Sequence, residues 1–332
     1  MNPTKKLLSI ILAGIAAGCL IAAGIILYKG HQDNIEAEKA LEELREAASQ
    51  GKEALETFST ESISTENITT EASGEAPDSS DESSPSVDSS QPTQAARPSD
   101  AETVSTGTDN TEADNTQANA SARETEELPE AVPNPYADSY LANEDMAGWL
   151  SIPGTNIDYP IMWTPEDENY YLRRGFDKKS NSAGCLILDT DSCLDPLTTN
   201  LIIHGHNMKA GTMFGHLTDY KNESYYKEHQ DIILYTPECQ RNYEVIAVFY
   251  SQVYKKTDDV FKFYKFFQAD TEEEFLDFYD NIKELSIYDT GVTAEFGDHF
   301  ITLSTCAYHV ENGRFVVVAK ETEPGDYYLP IE

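Results

Sequence analysis

The pattern of apolar and polar positions after residue 135 predicts a domain made of many short strands. Short apolar runs, several of them rich in Val, Ile, Phe and Tyr, are separated by turn sequences such as PGTN and PECQ. Residues 271–285 differ, because their apolar positions recur every three or four residues and predict an amphipathic helix. These positions are Phe275, Phe278, Ile282 and Leu285. Many short strands with a few helices are typical of a closed β barrel or a sandwich.

The chain begins with an apolar segment that predicts a membrane anchor. Residues 7–28 contain no charged residue, and as a helix they would be ~33 Å long, enough to cross a hydrocarbon core of ~30 Å. Lys5 and Lys6 precede the segment. Positive charge on this side favours a cytoplasmic position for residues 1–6 and an extracellular position for the rest. We therefore expect a single-pass membrane protein.

Two other interpretations of this segment remain open. A cleaved signal peptide would also begin with lysines, but its apolar part is usually only about 7–15 residues long. The sequence AAGC resembles a lipoprotein cleavage box at Cys19, but the apolar run continues past Cys19, where a lipoprotein would turn polar. The length of the run favours an uncleaved anchor.

Two further segments separate the anchor from the globular domain, residues 135–332. Residues 29–58 predict a membrane-proximal helix, because Ala, Glu, Leu and Lys dominate and proline is absent. The sparse apolar positions of this helix favour a solvated helix over a self-associating stem. Residues 59–134 are rich in Ser, Thr, Glu and Asp and contain no aromatic residue. Such a segment cannot bury enough apolar area to offset the entropy of ordering, so it predicts a disordered acidic stalk.

The overall composition excludes some partners and sites. The formal net charge of -36 argues against binding to nucleic acid, whose phosphates would be repelled. None of the five cysteines lies in a CxxC spacing, which disfavours both a zinc site and a disulfide framework. Cys19, Cys185, Cys193 and Cys239 are expected to behave as small apolar residues.

The candidate chemistry lies near the end of the chain, around the fifth cysteine. Cys306 ends the apolar run HFITLS and Arg314 opens a second run, FVVVA. A reactive thiolate needs exposure, nearby positive charge and an acid or base partner, and a strand end with an arginine beside it supplies the first two. For the partner, His206 at the exposed end of a third apolar run is favoured, with His204 and His309 as competitors. A buried strand cysteine and a solvated arginine are the alternatives without function.

Taken together, these segments resemble the sortases, and specifically class B. The resemblance covers roughly residues 138–320 and depends on a combination of motifs rather than on any single one. The matching segments are GWLSIPGTNIDYPIM (148–162), DENYYLRRGF (167–176), AGCLILD (183–189), GHNM (205–208) and LSTCAYHVENGRFVVVAK (303–320). The resemblance implies a closed eight-stranded β barrel with peripheral helices. Class B members carry an extra helix between two late strands, and residues 271–285 lie where that helix belongs.

The resemblance also implies an activity. Sortases are membrane-anchored cysteine transpeptidases on the outer face of Gram-positive bacteria, and they cleave a C-terminal sorting motif after its Thr. The catalytic residues implied here are Cys306, which forms a thioester acyl-enzyme, His206, which protonates the leaving amine, and Arg314, which stabilises the developing oxyanion. The acceptor is an amine of the peptidoglycan precursor, and the partners are surface proteins that bear a sorting signal.

Ser304, Thr305 and Asn207 are expected to line the site and contact the substrate. Class A members use calcium, but Asp189 and Asp191 in one loop are a weak signal for a metal site, so we expect neither metal nor cofactor.

Three alternative functions remain open from the sequence. A secreted cysteine peptidase would use the same residues but transfer the acyl group to water. A pilin-polymerising sortase would use a lysine of another subunit as the acceptor. A binding protein presented on a stalk would need no nucleophile at all, so that replacement of Cys306 would leave its function unchanged.

Overall fold

The computed structural model describes the globular domain and one N-terminal helix. The described residues are 38–55, 131–323 and 325–331, together with a few helical residues between 18 and 36. The predicted anchor at 7–28 lies largely outside the described residues, and so does the predicted stalk at 59–134, except for its last four residues. Among the residues that the structure describes, no helix combines the length and the apolar content that crossing a membrane requires.

Eight strands form a closed barrel in the order β1-β2-β3-β4-β7-β8-β6-β5, which confirms the predicted fold. The strands are β1 (Met146–Ser151), β2 (Asp158–Met162), β3 (Leu186–Leu188), β4 (Asn200–Gly205), β5 (Asp231–Tyr235), β6 (Gln240–Gln252), β7 (Phe300–Cys306) and β8 (Gly313–Glu321). The pairs β2–β3 and β4–β7 are parallel, and the other neighbours are antiparallel. The pairing of β1 with β5 closes the barrel.

Short helices surround the barrel. The described α-helices of the globular domain are α1 (Ala137–Ala142), α2 (Glu223–Glu228) and α3 (Glu272–Leu285), and three 3-10 helices cover Tyr170–Arg173, Leu217–Lys221 and Phe263–Lys265. Helix α3 lies between β6 and β7, as predicted. It begins with a capping box in which the Thr271 side chain accepts from the backbone N–H of Glu274 and the Glu274 side chain accepts from the Thr271 N–H.

Helix α3 packs against the outer face of the barrel. Three of its four predicted apolar positions are buried, namely Phe275, Phe278 and Ile282, whereas Leu285 at the helix end is exposed. The buried residues pack with the outward-facing Phe300 on β7 and with Val316 and Val318 on β8, among other residues. Helix α3 does not cover Cys306 or Arg314, which line an open pocket at the other end of the same strands.

The N-terminal helix, residues 38–55, packs on the opposite side of the barrel. Its Arg45 donates a 2.9 Å hydrogen bond to the carbonyl of Asp158 and lies 4.6 Å from the ring centroid of Tyr159. Its Ala48 is buried, and Leu41, Leu44 and Leu55 pack against the barrel clusters. Residues 38–55 are helical, and this helix is not solvated on all sides as expected from its sequence, because one face is covered by aromatic side chains of the barrel.

Candidate active site

The candidate site lies on the outer face of three neighbouring strands, where β4, β7 and β8 end or begin. In the register of β4 with β7, His204 is the partner of Ser304 and Gly205 is the partner of Thr305. In the register of β7 with β8, Cys306 is the partner of Arg314. Because side chains alternate between the faces of a strand, Ser304 and Cys306 share the outer face.

Cys306 is the last residue of β7 and is half-buried. Its carbonyl oxygen accepts a 2.8 Å hydrogen bond from the Asn207 side-chain amide, which fixes the end of β7 against the segment that follows β4. The chain then turns back so that the Ala307 N–H donates to the Gly313 carbonyl at 3.0 Å. A Cβ atom at Gly313 would collide with the Ala307 carbonyl oxygen, so a glycine at this position allows the tight return that brings Arg314 opposite Cys306.

His206 directly follows Gly205, the β4 partner of Thr305, and lines the same pocket as Cys306. Its Nε2 is 2.9 Å from the carbonyl oxygen of Leu172. A carbonyl can only accept, so the hydrogen atom is on Nε2 and the neutral ring has Nδ1 free to take up a proton. Gly205 is required here because a Cβ atom would collide with the Phe214 ring. This close packing fixes the backbone from which His206 projects.

Arg314 opens β8 with its guanidinium partly exposed. The head group donates to the carbonyl oxygens of Gly313 at 3.0 Å and Asn312 at 3.3 Å. No carboxylate forms an ion pair with it among the described residues. Its positive charge therefore remains available to an anionic group beside Cys306, and its planar fork has further N–H donors for that purpose.

The three predicted catalytic side chains line one pocket of about 380 Å³. The pocket is also lined by Glu168, Asn169, Leu172, Cys185, Ile187, Asp189, His204, Gly205, Val253, Phe263, Tyr264, Lys265, Ser304 and Thr305. Its wall is mainly apolar. Residues from four strands and two 3-10 segments thus line one pocket together with Cys306, and a thiol at the wall of such a pocket is placed as a candidate nucleophile for a bound ligand.

The predicted substrate-contacting residues differ in their positions. Ser304 and Thr305 both line the pocket, but the hydroxyl of Thr305 donates a 2.8 Å hydrogen bond to the Gly205 carbonyl and so joins β7 to β4. Asn207 is not among the lining residues, and its amide instead holds the Cys306 carbonyl. The geometry gives Asn207 and Thr305 positions that orient the strand ends.

The pocket also contains a hydrogen-bonded pair, Asp189 and His204, which was not predicted from the sequence. His204 Nε2 lies 3.0 Å from the Asp189 carboxylate. Burial raises the pKa of Asp189, but the hydrogen bonds from His204 and from the Asp191 N–H outweigh burial and leave the pKa below its usual value. The sequence contained one signal for this pair, since Asp189 directly follows a buried strand and His204 shares a strand face with His206. The antiparallel pairing of β3 with β4 brings them together.

Comparisons with known proteins give a consistent family. A family model described as the sortase domain matches residues 150–322. The chain is 34% identical over 185 residues to sortase B of Listeria monocytogenes, covering 55% of this chain and 72% of that protein. It is 31% identical over 180 residues to sortase B of Staphylococcus aureus, covering 54% and 70%. Among solved structures, a Staphylococcus aureus sortase B–substrate complex matches with 26% identity and a TM-score of 0.52, covering 58% of this chain and 87% of that one.

Proposed function

The chain belongs to the sortase family, class B, and on this basis we propose that it is a cysteine transpeptidase that uses Cys306, His206 and Arg314. Membership of the family supports cell-wall sorting as the general activity. The convergence of the three side chains on one pocket supports these residues as the ones that perform it.

In the proposed first step, the Cys306 thiolate attacks the carbonyl carbon of the Thr in a C-terminal sorting motif. The carbonyl oxygen becomes an oxyanion, and Arg314 donates hydrogen bonds to it. The C–N bond to the next residue then breaks, and the leaving amine takes its proton from the His206 imidazolium. The product is a thioester between the Thr carbonyl and the Cys306 sulfur.

In the second step, an amine attacks the thioester carbonyl. His206, now neutral, accepts the proton of the incoming amine, and the C–S bond breaks to release the Cys306 thiolate and a new amide. The Cys306 thiolate and the His206 imidazolium are both regenerated at the end of the second step, so this exchange needs no cofactor. The hydrogen bond of His206 Nε2 to the Leu172 carbonyl supports Nδ1 as the nitrogen that would carry out these proton transfers.

We propose an amine of the peptidoglycan precursor as the acceptor and surface proteins with sorting signals as the donors. The proposed setting is the outer face of a Gram-positive cell membrane, with residues 7–28 as the anchor and residues 59–134 as a spacer. Two other acceptors, water and a lysine of a pilin subunit, would give a peptidase and a pilin polymerase, respectively.

The test is to incubate the full-length protein with a sorting-motif peptide, with and without an amine acceptor, and to follow the products by mass spectrometry. We expect an acyl-enzyme on Cys306 and an amide product that requires the amine. Cys306→Ala should lower turnover by about 10⁴-fold or more, whereas Cys193→Ala, at another partly exposed cysteine, should have no effect. Cleavage that ignores the amine would support a peptidase, and full turnover by Cys306→Ala would refute the proposed nucleophile.

A further inference from the structure

The catalytic pocket contains a second cluster of side chains that the proposed reaction does not use. One ligand-type atom each from Glu168, Asp189 and His204 lies within 4.8 Å of the other two. Asp189 directly follows β3, His204 is on β4, and Glu168 precedes the 3-10 helix Tyr170–Arg173. All three line the same pocket as Cys306, so three separate elements bring two carboxylates and an imidazole to one place.

The Asp189–His204 pair already has the separation of two ligands on one metal ion. Ligand atoms at about 2.0–2.2 Å from a zinc ion lie roughly 3 Å or more from each other, and Nε2 of His204 is 3.0 Å from Oδ2 of Asp189. The other Asp189 oxygen accepts from the Asp191 N–H at 3.1 Å. Such outer contacts orient ligands in metal sites.

Glu168 completes the cluster from the exposed side of the pocket. It forms no ion pair among the described residues, and its side chain is exposed. A glutamate on the surface can rotate about three bonds to bring its carboxylate closer to the other two groups. Lys265 also lines the pocket but makes no ion pair with these carboxylates among the described residues.

An independent observation at the same place is a buried hydroxyl without a partner. Ser304 is the β7 partner of His204 and is only 2% exposed. Its Oγ has no hydrogen-bond partner among the described residues, although Ser304 lines the pocket. A buried polar atom without a hydrogen-bond partner lowers the stability of the fold. An ion bound at His204 would have one remaining coordination position, and a group held there would give the Ser304 hydroxyl a partner.

We propose that Glu168, Asp189 and His204 form a binding site for a divalent transition-metal ion of the zinc type. One imidazole with two carboxylates suits zinc better than calcium or magnesium, which take oxygen ligands throughout. Three protein ligands leave a fourth position open beside Ser304. This proposal departs from the expectation of no metal that the sequence supports. That expectation is based only on Asp189 and Asp191 in the β3–β4 loop.

The bound ion would share the pocket with the peptide substrate. His204 and Ser304 are two residues before His206 and Cys306, respectively, and all four line the same pocket. An ion here takes up space and ligand positions beside the thiolate, so it inhibits acyl transfer reversibly. This consequence, unlike metal binding itself, rests on the proposed function.

The first experiment measures binding without activity. Zn²⁺ is titrated by calorimetry into the full-length protein carrying Cys306→Ala, which removes thiolate coordination at the catalytic site. We expect one ion per chain, and Glu168→Gln in this background should weaken binding by at least about tenfold, the loss seen even for outer contacts of metal ligands. Glu166→Gln, an exposed neighbour that lies outside the cluster, should leave the affinity unchanged.

The ligand set is checked with Co²⁺ as a spectroscopic probe. Coordination by nitrogen and oxygen should give visible bands without a thiolate charge-transfer band, and His204→Gln should remove these bands while circular dichroism confirms folding. Absence of binding in the Cys306→Ala protein, or unchanged affinity in Glu168→Gln, would refute the site even if the enzyme transfers peptides normally.

The inhibitory effect is tested on the enzyme with Cys306 intact. Zn²⁺ should inhibit acyl transfer, and Glu168→Gln should need at least about tenfold more Zn²⁺ for the same inhibition. Equal inhibition of both proteins would refute regulation through this cluster. If no acyl transfer occurs in any protein, the proposed function fails while the calorimetric result still decides the metal site.

Discussion

The inner and outer faces of β4 and β7 have different roles: the inner face packs the core, and the outer face lines the candidate active site. On the inner face, Leu201 and Ile203 of β4 and Ile301 and Leu303 of β7 belong to one buried apolar core. On the outer face of the same strands, the alternate residues include His204, Ser304 and Cys306, which line the pocket. Residues that are neighbours in sequence therefore have different tasks, packing on one side and chemistry on the other.

This division explains how a reactive site can be built on a stable barrel. The strand backbone is fixed by its ladder and by the core beneath it, so the outer side chains start from rigid positions. At one end the outer face is covered by α3, whose Phe275 ring stacks on Phe300 and whose Phe278 ring packs against Phe300 at a tilt. The pocket lies where that cover ends. Substitutions on the two faces should accordingly separate stability from activity.

The largest change in stability is expected on the inner face. Leu303→Ala removes a fully buried side chain and should lower the free energy of unfolding by about 2–5 kcal/mol, because the lost transfer energy and the new cavity add. Denaturant unfolding measures this. Leu276→Ala on the exposed side of α3 is the control and should cost much less. A stability loss at Leu303 no greater than at Leu276 would contradict the assignment of the inner face.

The matching substitution on the outer face should act on the reaction instead. Arg314→Lys keeps the charge but removes the planar fork, so we expect turnover to fall by about 10²–10³-fold with almost no change in unfolding free energy. Steady-state kinetics of peptide transfer gives the answer. Arg173→Lys, at an exposed arginine outside the pocket, should behave like the unmodified protein. A similar rate in both variants would remove Arg314 from the proposed mechanism.

Much of this arrangement was predictable, because strand patterns and motifs are local features of the sequence. The apolar alternation predicted the strands, and the run from Phe275 to Ile282 predicted α3 with its buried face. The family resemblance identified Cys306, His206 and Arg314 together, and the structure brings all three to one pocket. This agreement between the positions and the motif does not test the catalytic roles of the three residues. The variants described above are designed to test those roles.

The parts that were not predicted depend on pairing between distant segments. The Asp189–His204 contact requires the antiparallel register of β3 with β4, and no local pattern specifies it. The N-terminal helix has few apolar residues, so its sequence favours solvent exposure. It packs on the barrel partly through cations over aromatic rings, with Lys52 Nζ 5.2 Å from the Tyr136 ring centroid, and such contacts leave no periodic signal.

The smallest expected effect separates two outer-face hydroxyls on β7. Thr302 donates a 2.8 Å hydrogen bond to the Asn200 side-chain oxygen, whereas the hydroxyl of Ser304 has no partner among the described residues. Thr302→Val should therefore lower the unfolding free energy by about 1–3 kcal/mol, because a buried acceptor loses its donor. Ser304→Ala should instead leave it unchanged or raise it slightly in the metal-free protein, because the substitution removes a buried hydroxyl that has no partner among the described residues.

Added Zn²⁺ sharpens the contrast between these two positions. If Ser304 contacts a group in the open coordination position, Ser304→Ala should reduce the rise in melting temperature that Zn²⁺ produces, while Thr302→Val should retain that rise. Thermal unfolding with and without Zn²⁺ measures both. An equal rise in the Ser304→Ala protein would show that this hydroxyl takes no part in the metal site. In that case Ser304 would only line the pocket from the outer face of β7, opposite the core residues Ile301 and Leu303 on the inner face.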